Sequence, residues 1–392
     1  MGKINEIKSN IAFGKTSMNL AIFMIISVLM LFAFYMFFSY HFYHAPGDFI
    51  VHIQLAMTAA SDAHFYPSHF FYHLILNVFT FFSGNLFLLK CTAVFLLSLF
   101  CFLKIYFTLK IGEQLTGDSK INIIHVTILL VVPYFISPII NWWSPRIYLG
   151  QFTPNVWHNP TTIMLMPFSL ACLLYLIKDV ESDDAKISYS IVGSLFLVFS
   201  VITKPNFAMI FIPSLVVMYV FSRNFITINK VFIYVMPTII IMLWQYLRTF
   251  STDQKEGIIF DPMVVWLTYT PNPLGSLLVS FAFPLAFILF FYNKIRNIWL
   301  FKFSWLMLIV SLSQFLLLSE SGTRKFHGNF FWGVFCCLYI VFIVSIIELI
   351  LLYPGFKYYR TRYIVCAFIL SLHFLSGIVF YIRSTSGLGP FV

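Results

Sequence analysis

The sequence predicts an all-α polytopic membrane protein, and three observations lead to this class. Of the 392 residues, 60% are hydrophobic and only 10% are charged, a composition outside the range of soluble globular domains. The apolar residues recur in runs of about twenty, the length that a helix needs to cross a bilayer. Lys and Arg stand in ones and twos between these runs, as is typical of short cytoplasmic loops.

The formal net charge of +10 does not predict a nucleic-acid-binding protein. The basic residues are scattered between apolar runs and form no stripe or cluster. We therefore expect membrane lipids, and no nucleic acid, among the partners. The six cysteines all lie in apolar runs without a Cys-x-x-Cys spacing, so packing roles are expected for them.

If the N-terminus lies in the cytoplasm and the chain crosses the membrane about eleven times, all of the basic loops lie on the cytoplasmic side. We therefore expect about eleven spans. We expect a single domain over 1–392. The first span covers 17–40 and the second lies in the later part of 70–109. The other nine are expected near 121–140, 160–177, 187–203, 207–222, 231–247, 274–292, 303–319, 330–352 and 363–381.

The pattern of segment 70–109 predicts two helices split at Ser83-Gly84-Asn85. However, this segment must cross the membrane an odd number of times if the basic loops before and after it are to lie in the cytoplasm. We expect its first piece, about fourteen residues, to be re-entrant or to lie in the membrane interface. No internal repeat is visible, which weakens a transporter interpretation because many transporters have duplicated halves.

The first outer loop, 41–69, and the residues directly after it concentrate ionisable groups. The stretch from His41 to His73 holds six of the ten histidines. Asp48 follows the turn-forming pair Pro46-Gly47, and the apolar spacing after it predicts an amphipathic helix on the membrane surface. Asp48 and His52 are then neighbours on one helical face. A helix N-cap and a catalytic base are both open for Asp48.

Other polar clusters are predicted to lie on the same outer face, which suggests one outward-facing cleft. The simpler alternative is that outer loops are where polar residues can reside. The candidates for binding a phosphate are cations in outer turns: Arg146, Lys204, Arg324 and Lys325. The candidates for binding other parts of a substrate are His64, His158, Asn159, Glu320, His327 and Asn329.

A protein-bound metal is not predicted. His41/His44 and His69/His73 have helical spacings that would suit a metal, but no His-Glu-x-x-His motif or cysteine accompanies them. No cofactor is expected with certainty. A divalent cation held by Asp48 and a substrate phosphate is left open, because it would leave little trace in a sequence.

With these residues in hand, the chain resembles the GT-C class of integral-membrane glycosyltransferases. The resemblance rests on a long first span followed by the acidic loop segment GDFIVH, a many-helix body, and the segment VFSVITKPNFAMIFIPSL with its Lys- and Pro-bearing turn. It covers roughly 17–222, and 223–392 matches only as additional helices with polar outer loops.

The resemblance implies transfer of a sugar from a polyprenyl-phosphate donor to a glycan or lipid acceptor at the outer face of a bacterial inner membrane. Asp48 would act as the base of an inverting reaction, His52 would orient it or the acceptor, and the cations would bind the departing lipid phosphate. Many members carry a second acidic residue beside the first, whereas Asp48 is followed by Phe49-Ile50.

Two alternatives stay open. An O-antigen or capsule polymerase would depend on Arg146, Arg324 and His327 more than on Asp48. A lipid-linked oligosaccharide flippase or other transporter should place ionisable residues in mid-span facing a cavity. The few ionisable residues inside spans lie mostly near span ends: Lys90, Lys104, His125, Glu348 and His373.

Overall fold

The computed structural model describes residues 17–44, 47–62, 67–116, 123–141, 150–182, 187–222, 225–250 and 257–387. The predicted site residues His64 and Arg146 lie outside these ranges. Within them the chain forms fourteen α-helices and one small antiparallel sheet. The helices are α1 (Ser17–His44), α2 (Gly47–Ser61), α3 (Phe71–Phe79), α4 (Leu86–Thr116), α5 (Ile123–Phe135), α6 (Pro160–Glu181), α7 (Ile187–Thr203), α8 (Asn206–Phe221), α9 (Ile228–Phe250), α10 (Val264–Tyr269), α11 (Pro273–Ile295), α12 (Trp299–Leu317), α13 (Phe331–Leu352) and α14 (Phe356–Thr385).

The described part of the chain holds seven stretches that are long and apolar enough to cross a membrane. These are Phe23–His44, Leu86–Thr116, Pro160–Glu181, Ile228–Thr249, Pro273–Ile295, Trp299–Leu317 and Arg324–Thr385, the last of which contains both α13 and α14. The apolar helices α5, α7 and α8 are shorter. The protein is therefore an all-α polytopic membrane protein, and the count of eleven spans stays a prediction.

The expected break after the first outer loop is confirmed. Helix α3 ends at Phe79, and Phe81 and Phe82 adopt positive φ angles of 51° and 53° before α4 begins. The side chain of Asn85 accepts a hydrogen bond from the backbone N–H of Leu88 (3.1 Å) and thereby caps α4. Helix α3 has nine residues, fewer than the fourteen expected. The other five of the fourteen residues, Phe70 and the four residues 80–83, are not helical.

Helix α2 forms where the sequence predicts it. Gly47 has a φ of +40°, which glycine tolerates without strain, and the helix continues to Ser61. Its buried face includes Phe49, Ile53 and Ala56. Asn77 of α3 donates to the carbonyl oxygen of Ala56 (3.0 Å), so that α2 and α3 are held side by side.

Helices α6 and α13 form the centre of the bundle, because almost all of their side chains are buried. Helix α6 packs against α4 and α7. Helix α13 packs against α8, α11 and α12. Gly377 of α14 lies very close to the last residue of α5, Phe135. A Cβ atom added to this glycine would be 1.4 Å from the carbonyl oxygen of Phe135. Small residues permit such close approaches between helices in membranes.

The sheet pairs β1 (Ile258–Phe260) with β2 (Leu318–Glu320), with Ile258 opposite Glu320. These strands were not predicted, because three-residue segments carry too little of a period-two pattern to be recognised. A 3₁₀ helix, Gly322–His327, follows β2. The sheet and this 3₁₀ helix join the segment after α9 to the segment before α13, and they carry Glu320 and Arg324.

Candidate functional site

A cavity of about 560 Å³ lies where α2, α6, α8 and α9 meet the β1–β2 sheet and the 3₁₀ helix. Most of its accessible wall is apolar, and a smaller part is polar. The residues that line it are His52, Ser68, His69, Asn159, Thr161, Lys204, Pro205, Asn206, Met209, Ile239, Met242, Leu243, Gln245, Tyr246, Thr249, Ile258, Glu320, Arg324, His327, Asn329 and Phe330.

Lys204 lies at the centre of the polar wall, with only 7% of its surface exposed. Its ammonium group donates to the side-chain oxygen of Asn159 (3.0 Å) and to the hydroxyl of Thr162 (2.9 Å). Thr161 Oγ1 lies 3.4 Å away. The ammonium also lies 4.4 Å from the ring centroid of Trp332, a cation–π distance. The hydrogen-bond acceptors of this lysine among the described residues are thus neutral groups.

The local sequence explains why a lysine points inward here. Helix α7 ends at Thr203 and α8 begins at Asn206, so Lys204 and Pro205 form a tight connection. Pro205 has a φ of −71° and no N–H group, which suits the residue directly before a helix. The Lys204 N–H still donates to Ser200 O (2.7 Å), which fixes the start of the connection.

Burial lowers the pKa of Lys204 to about 7, while the carboxylates of Asp48 and Glu320 act in the opposite direction. An ammonium that has lost water but gained no carboxylate contact is less stable than one in solution. At neutral pH this lysine is therefore close to its midpoint of protonation, and an anion in the cavity would favour the charged form.

Three helices begin at the cavity. Asn159 is the N-cap of α6, with its side-chain oxygen accepting from the N–H of Thr162 (3.0 Å). Helix α8 begins at Asn206, and α13 begins just after Asn329 and Phe330. The first N–H groups of a helix have no partner within the helix, and its dipole is positive at this end. Together with Lys204, these three ends favour an anion.

The second cation, Arg324, is held by Glu320 at the end of β2. The Arg324 guanidinium lies 3.1 Å from Glu320 Oε1 and donates through Nε to Oε2 (3.3 Å). The amide of Asn329 also donates to Glu320, and Asn206 donates to the carbonyl oxygen of Asn329 (2.7 Å). The start of α8 and the 3₁₀ helix are thereby joined across the cavity.

Helix α9 provides most of the apolar wall. Ile239, Met242, Leu243 and Tyr246 follow a spacing of three and four residues and therefore occupy one helical face. Leu243 and Tyr246 are about half exposed, so this face is partly open to the outside of the bundle. Gln245 of α9 donates to the carbonyl oxygen of Val201 in α7 (2.8 Å), which sets the position of α9 along α7.

Asp48 does not line the cavity but lies directly behind its wall. Its carboxylate accepts from Asn159 Nδ2 (3.1 Å), so one asparagine joins Asp48 to Lys204. His52 lines the cavity, and its Nδ1 is 3.0 Å from Nε2 of His73. The predicted neighbours Asp48 and His52 thus have different hydrogen-bond partners.

The other predicted site residues divide into two groups. Asn159, Lys204, Glu320, Arg324, His327 and Asn329 line the cavity together with His52. His158 instead lies against the ring of Trp332, at 5.4 Å between centroids. Lys325 points to Asp261, with 2.7 Å between Nζ and Oδ2, and this contact lowers the pKa of Asp261.

Sequence reasoning missed several residues of the cavity, including Ser68, His69, Thr161 and the face of α9. A signal existed for Thr161 and Thr162, because Asn159-Pro160-Thr161-Thr162 has the composition of a helix start. No local signal identifies the face of α9, because its apolar residues resemble those of any lipid-facing span.

Among the described residues, no group of three or more His, Cys, Asp or Glu side chains is arranged to hold a metal ion. The carboxylate of Glu320 is engaged by Arg324, and that of Asp48 by Asn159. Lys204 and Arg324 are therefore the positive charges that the described chain brings to this cavity.

Comparison of the chain with protein-family models, with curated proteins and with solved structures finds no match.

Proposed function

We propose that this protein is a membrane glycosyltransferase that takes a sugar from a polyprenyl-phosphate carrier and transfers it to a cell-envelope glycan or lipid. The observation that supports this most directly is the make-up of the cavity. Two cations, Lys204 and Arg324, and an apolar helical face line one space of about 560 Å³. A ligand with an anionic head and a hydrocarbon tail complements both kinds of surface.

Lys204 and Arg324 are proposed to bind the donor phosphate. A phosphodiester carries one negative charge, and a buried ammonium interacts with it more strongly than a solvated one. The guanidinium can offer parallel N–H donors to two phosphate oxygens. Because Glu320 holds Arg324 in place, little side-chain entropy is lost when the phosphate binds.

The apolar face of α9 is proposed to contact the first part of the polyprenyl chain. The half-exposed Leu243 and Tyr246 connect the cavity with the lipid-facing surface of α9. A lipid could then enter from the side without leaving the bilayer, and α8 contributes Met209 to the same wall.

The proposed reaction is a displacement at the anomeric carbon. An acceptor hydroxyl forms a bond to this carbon, the bond from carbon to phosphate oxygen breaks, and the hydroxyl proton passes to Asp48. The polyprenyl phosphate that leaves gains negative charge, which Lys204 and Arg324 stabilise. Asp48 is partly exposed behind the polar wall, where its carboxylate accepts a hydrogen bond from Asn159.

The number of spans and the orientation in the membrane are also part of the proposal. We place eleven spans with a GT-C-like arrangement over 17–222 and the cavity at the periplasmic face of a bacterial inner membrane. The remaining helices, 223–392, would complete the cavity through α9 and the 3₁₀ helix. A divalent cation is not needed for the steps proposed.

A polymerase acting on two lipid-linked glycans is the second candidate. The observation in its favour is that Arg324 and His327 line the cavity, whereas Asp48 reaches it only through Asn159. In that case His327 would be essential and Asp48 would not.

The test uses the full chain in proteoliposomes with a synthetic sugar-phosphate donor on a short polyprenyl chain, and measures release of polyprenyl phosphate. We expect turnover by the wild type and a loss of about 100-fold for Lys204→Met, since a hydrogen bond to a buried charge contributes about 1.5–3 kcal/mol. Lys302→Met, at an exposed lysine of α12, is the matched control. Donor lipid that crosses the bilayer without turnover would overturn the proposal in favour of transport.

A further inference from the structure

A histidine that lines the cavity, His52, is in direct contact with a second histidine, His73, behind it. His52 Nδ1 lies 3.0 Å from His73 Nε2, and the two rings are stacked at 5.2 Å between centroids. His73 is fully buried in α3, whereas His52 lines the cavity. Since Nδ1 of His52 is occupied by His73, Nε2 is the ring nitrogen that remains for a ligand.

Burial favours the neutral form of both imidazoles. Burial lowers the pKa of His73 to about 4, and burial together with the neighbouring His73, Lys204 and His69 lowers the pKa of His52 well below its ordinary value. A neutral imidazole has one N–H donor and one acceptor nitrogen. The contact between the two rings therefore needs one ring to donate and the other to accept.

The surroundings of His73 decide which ring donates. Its Nδ1 is buried and has no hydrogen-bond partner among the described residues. If His52 were the donor, His73 would carry its proton on Nδ1, and a buried N–H group would be left without an acceptor. If His73 donates from Nε2, only a lone pair on Nδ1 is left unpaired. An orphaned buried donor is the rarer of the two defects in folded proteins.

We propose that His73 fixes His52 in the tautomer with its proton on Nε2, so that His52 donates a hydrogen bond to an anionic oxygen in the cavity. The tautomer follows from the contacts of His73, and the identity of the anion as a donor phosphate rests on the proposed function. Lys204 also lines the cavity and is a second donor to an anion there. His52 is then a ligand-binding residue, His73 is its positioning residue, and the role of base stays with Asp48.

Helix packing holds this arrangement in place. Asn77 donates to the carbonyl oxygen of Ala56 (3.0 Å), one turn of helix from each histidine, and so keeps α2 and α3 in register. The ring of Tyr72 lies edge-on to His52 at 5.9 Å. His52 is therefore restrained before any ligand binds, which lowers the entropy lost on binding.

The tautomer can be read directly from ¹⁵N chemical shifts. The full chain with ¹⁵N-labelled histidine is placed in lipid nanodiscs, and His52→Gln identifies the signals of residue 52. We expect a protonated Nε2 and an unprotonated, hydrogen-bonded Nδ1. His73→Gln retains a side-chain N–H donor and should preserve this pattern, whereas His73→Phe should let both tautomers of His52 appear. A protonated Nδ1 in the wild type overturns the inference, whether or not the variants fold.

The second part of the inference, that His52 donates to an anion in the cavity, is tested by adding a synthetic polyprenyl phosphate to the same sample. We expect the ¹H shift of the His52 Nε2–H group to move downfield in the wild type and to stay unchanged in Lys204→Met. A protonated Nε2 that does not respond to the lipid would overturn the assignment of the anion while leaving the tautomer intact. Turnover of the sugar donor is measured separately, so failure of the proposed function is distinguishable.

Discussion

The side-chain oxygen of Asn159 caps α6 and also accepts a hydrogen bond from the ammonium of Lys204, at 3.0 Å in both cases. The amide nitrogen of the same side chain donates to Asp48 (3.1 Å). One asparagine thus connects a helix start, a buried cation and a carboxylate from the first turn of α2. The position of Lys204 in the cavity depends on the start of α6.

Asn159→Ala should therefore lower both stability and activity. Loss of a helix cap costs about 1 kcal/mol, and loss of the acceptor for Lys204 adds about 1.5 kcal/mol or more. Asn272 caps α11 through Gly275 N (2.9 Å) and lines no part of the cavity, so Asn272→Ala is the matched control. Thermal unfolding in detergent should show the larger decrease for Asn159→Ala. Equal decreases would mean that the lysine contact contributes nothing.

Donor binding should weaken as the pH rises through about 7. The pKa of Lys204 is lowered to about 7 by burial, so its positive charge is present below this pH and lost above it. A sugar phosphodiester keeps its single charge throughout, and the change is therefore due to the protein. Arginine stays protonated across this range, so Lys204→Arg should remove the pH dependence. Binding to a fluorescent donor analogue between pH 6 and 9 measures both. A flat wild-type profile would contradict the assignment.

Two adjacent cations should behave differently. Arg324 lines the cavity, and Arg324→Gln should weaken donor binding at least about tenfold, since it removes a charged hydrogen-bond donor. Lys325 contacts Asp261 outside the cavity, at a partly exposed site. We expect Lys325→Gln to change donor binding by less than about twofold, because its ammonium is directed to Asp261 and ion pairs that solvent reaches contribute little. A stronger effect of Lys325→Gln would place the phosphate on the other side of the 3₁₀ helix.

Asp48→Asn should abolish transfer while donor binding and folding are retained. An asparagine can still accept from Asn159, but it cannot take a proton from an acceptor hydroxyl. Asp62, just beyond the end of α2, is exposed, and Asp62→Asn is the control from the same loop. Single-turnover measurements with preformed donor complex separate chemistry from binding. Retained transfer in Asp48→Asn, together with inactive His327→Ala, would favour the polymerase.

Gly377→Ala should prevent correct folding, although alanine favours helices over glycine by about 1 kcal/mol. Its Cβ would lie 1.4 Å from the carbonyl oxygen of Phe135, and backbone cannot move aside as a side chain can. Gly257→Ala, where a Cβ meets nothing within 4 Å, should be silent. The fraction of monodisperse protein after gel filtration in detergent is the readout. Equal fractions for both variants would show that α14 can shift away from α5.

Local patterns predict much of the fold because they depend on short-range physics. The run lengths identify the apolar helices, and the turn signals at Gly47 and at Ser83-Gly84-Asn85 coincide with helix boundaries. The connection at Lys204 is predicted for the same reason, since proline and the end of an apolar run lie side by side. The short β1–β2 pairing is invisible in the sequence, because it depends on two segments about sixty residues apart.

The candidate site is predicted only in part. Lys204, Arg324 and Asn159 are recognisable as polar residues between apolar runs, and the structure brings all three to one cavity. In the sequence, Lys325 is as good a candidate for binding a phosphate as Arg324. In the structure, the 3₁₀ helix directs Lys325 toward Asp261. Asp48 is separated from the cavity by a residue 111 positions later in the chain.

By itself, the sequence determined that this chain is a helical membrane protein with ionisable groups gathered between its apolar runs. Hydrophobicity acts residue by residue, so the composition of each segment is enough for that result. Only the tertiary structure decided which polar groups meet. The partners of Lys204 and His52 come from helices that pack together through side-chain shape, and no local pattern encodes the distance between them.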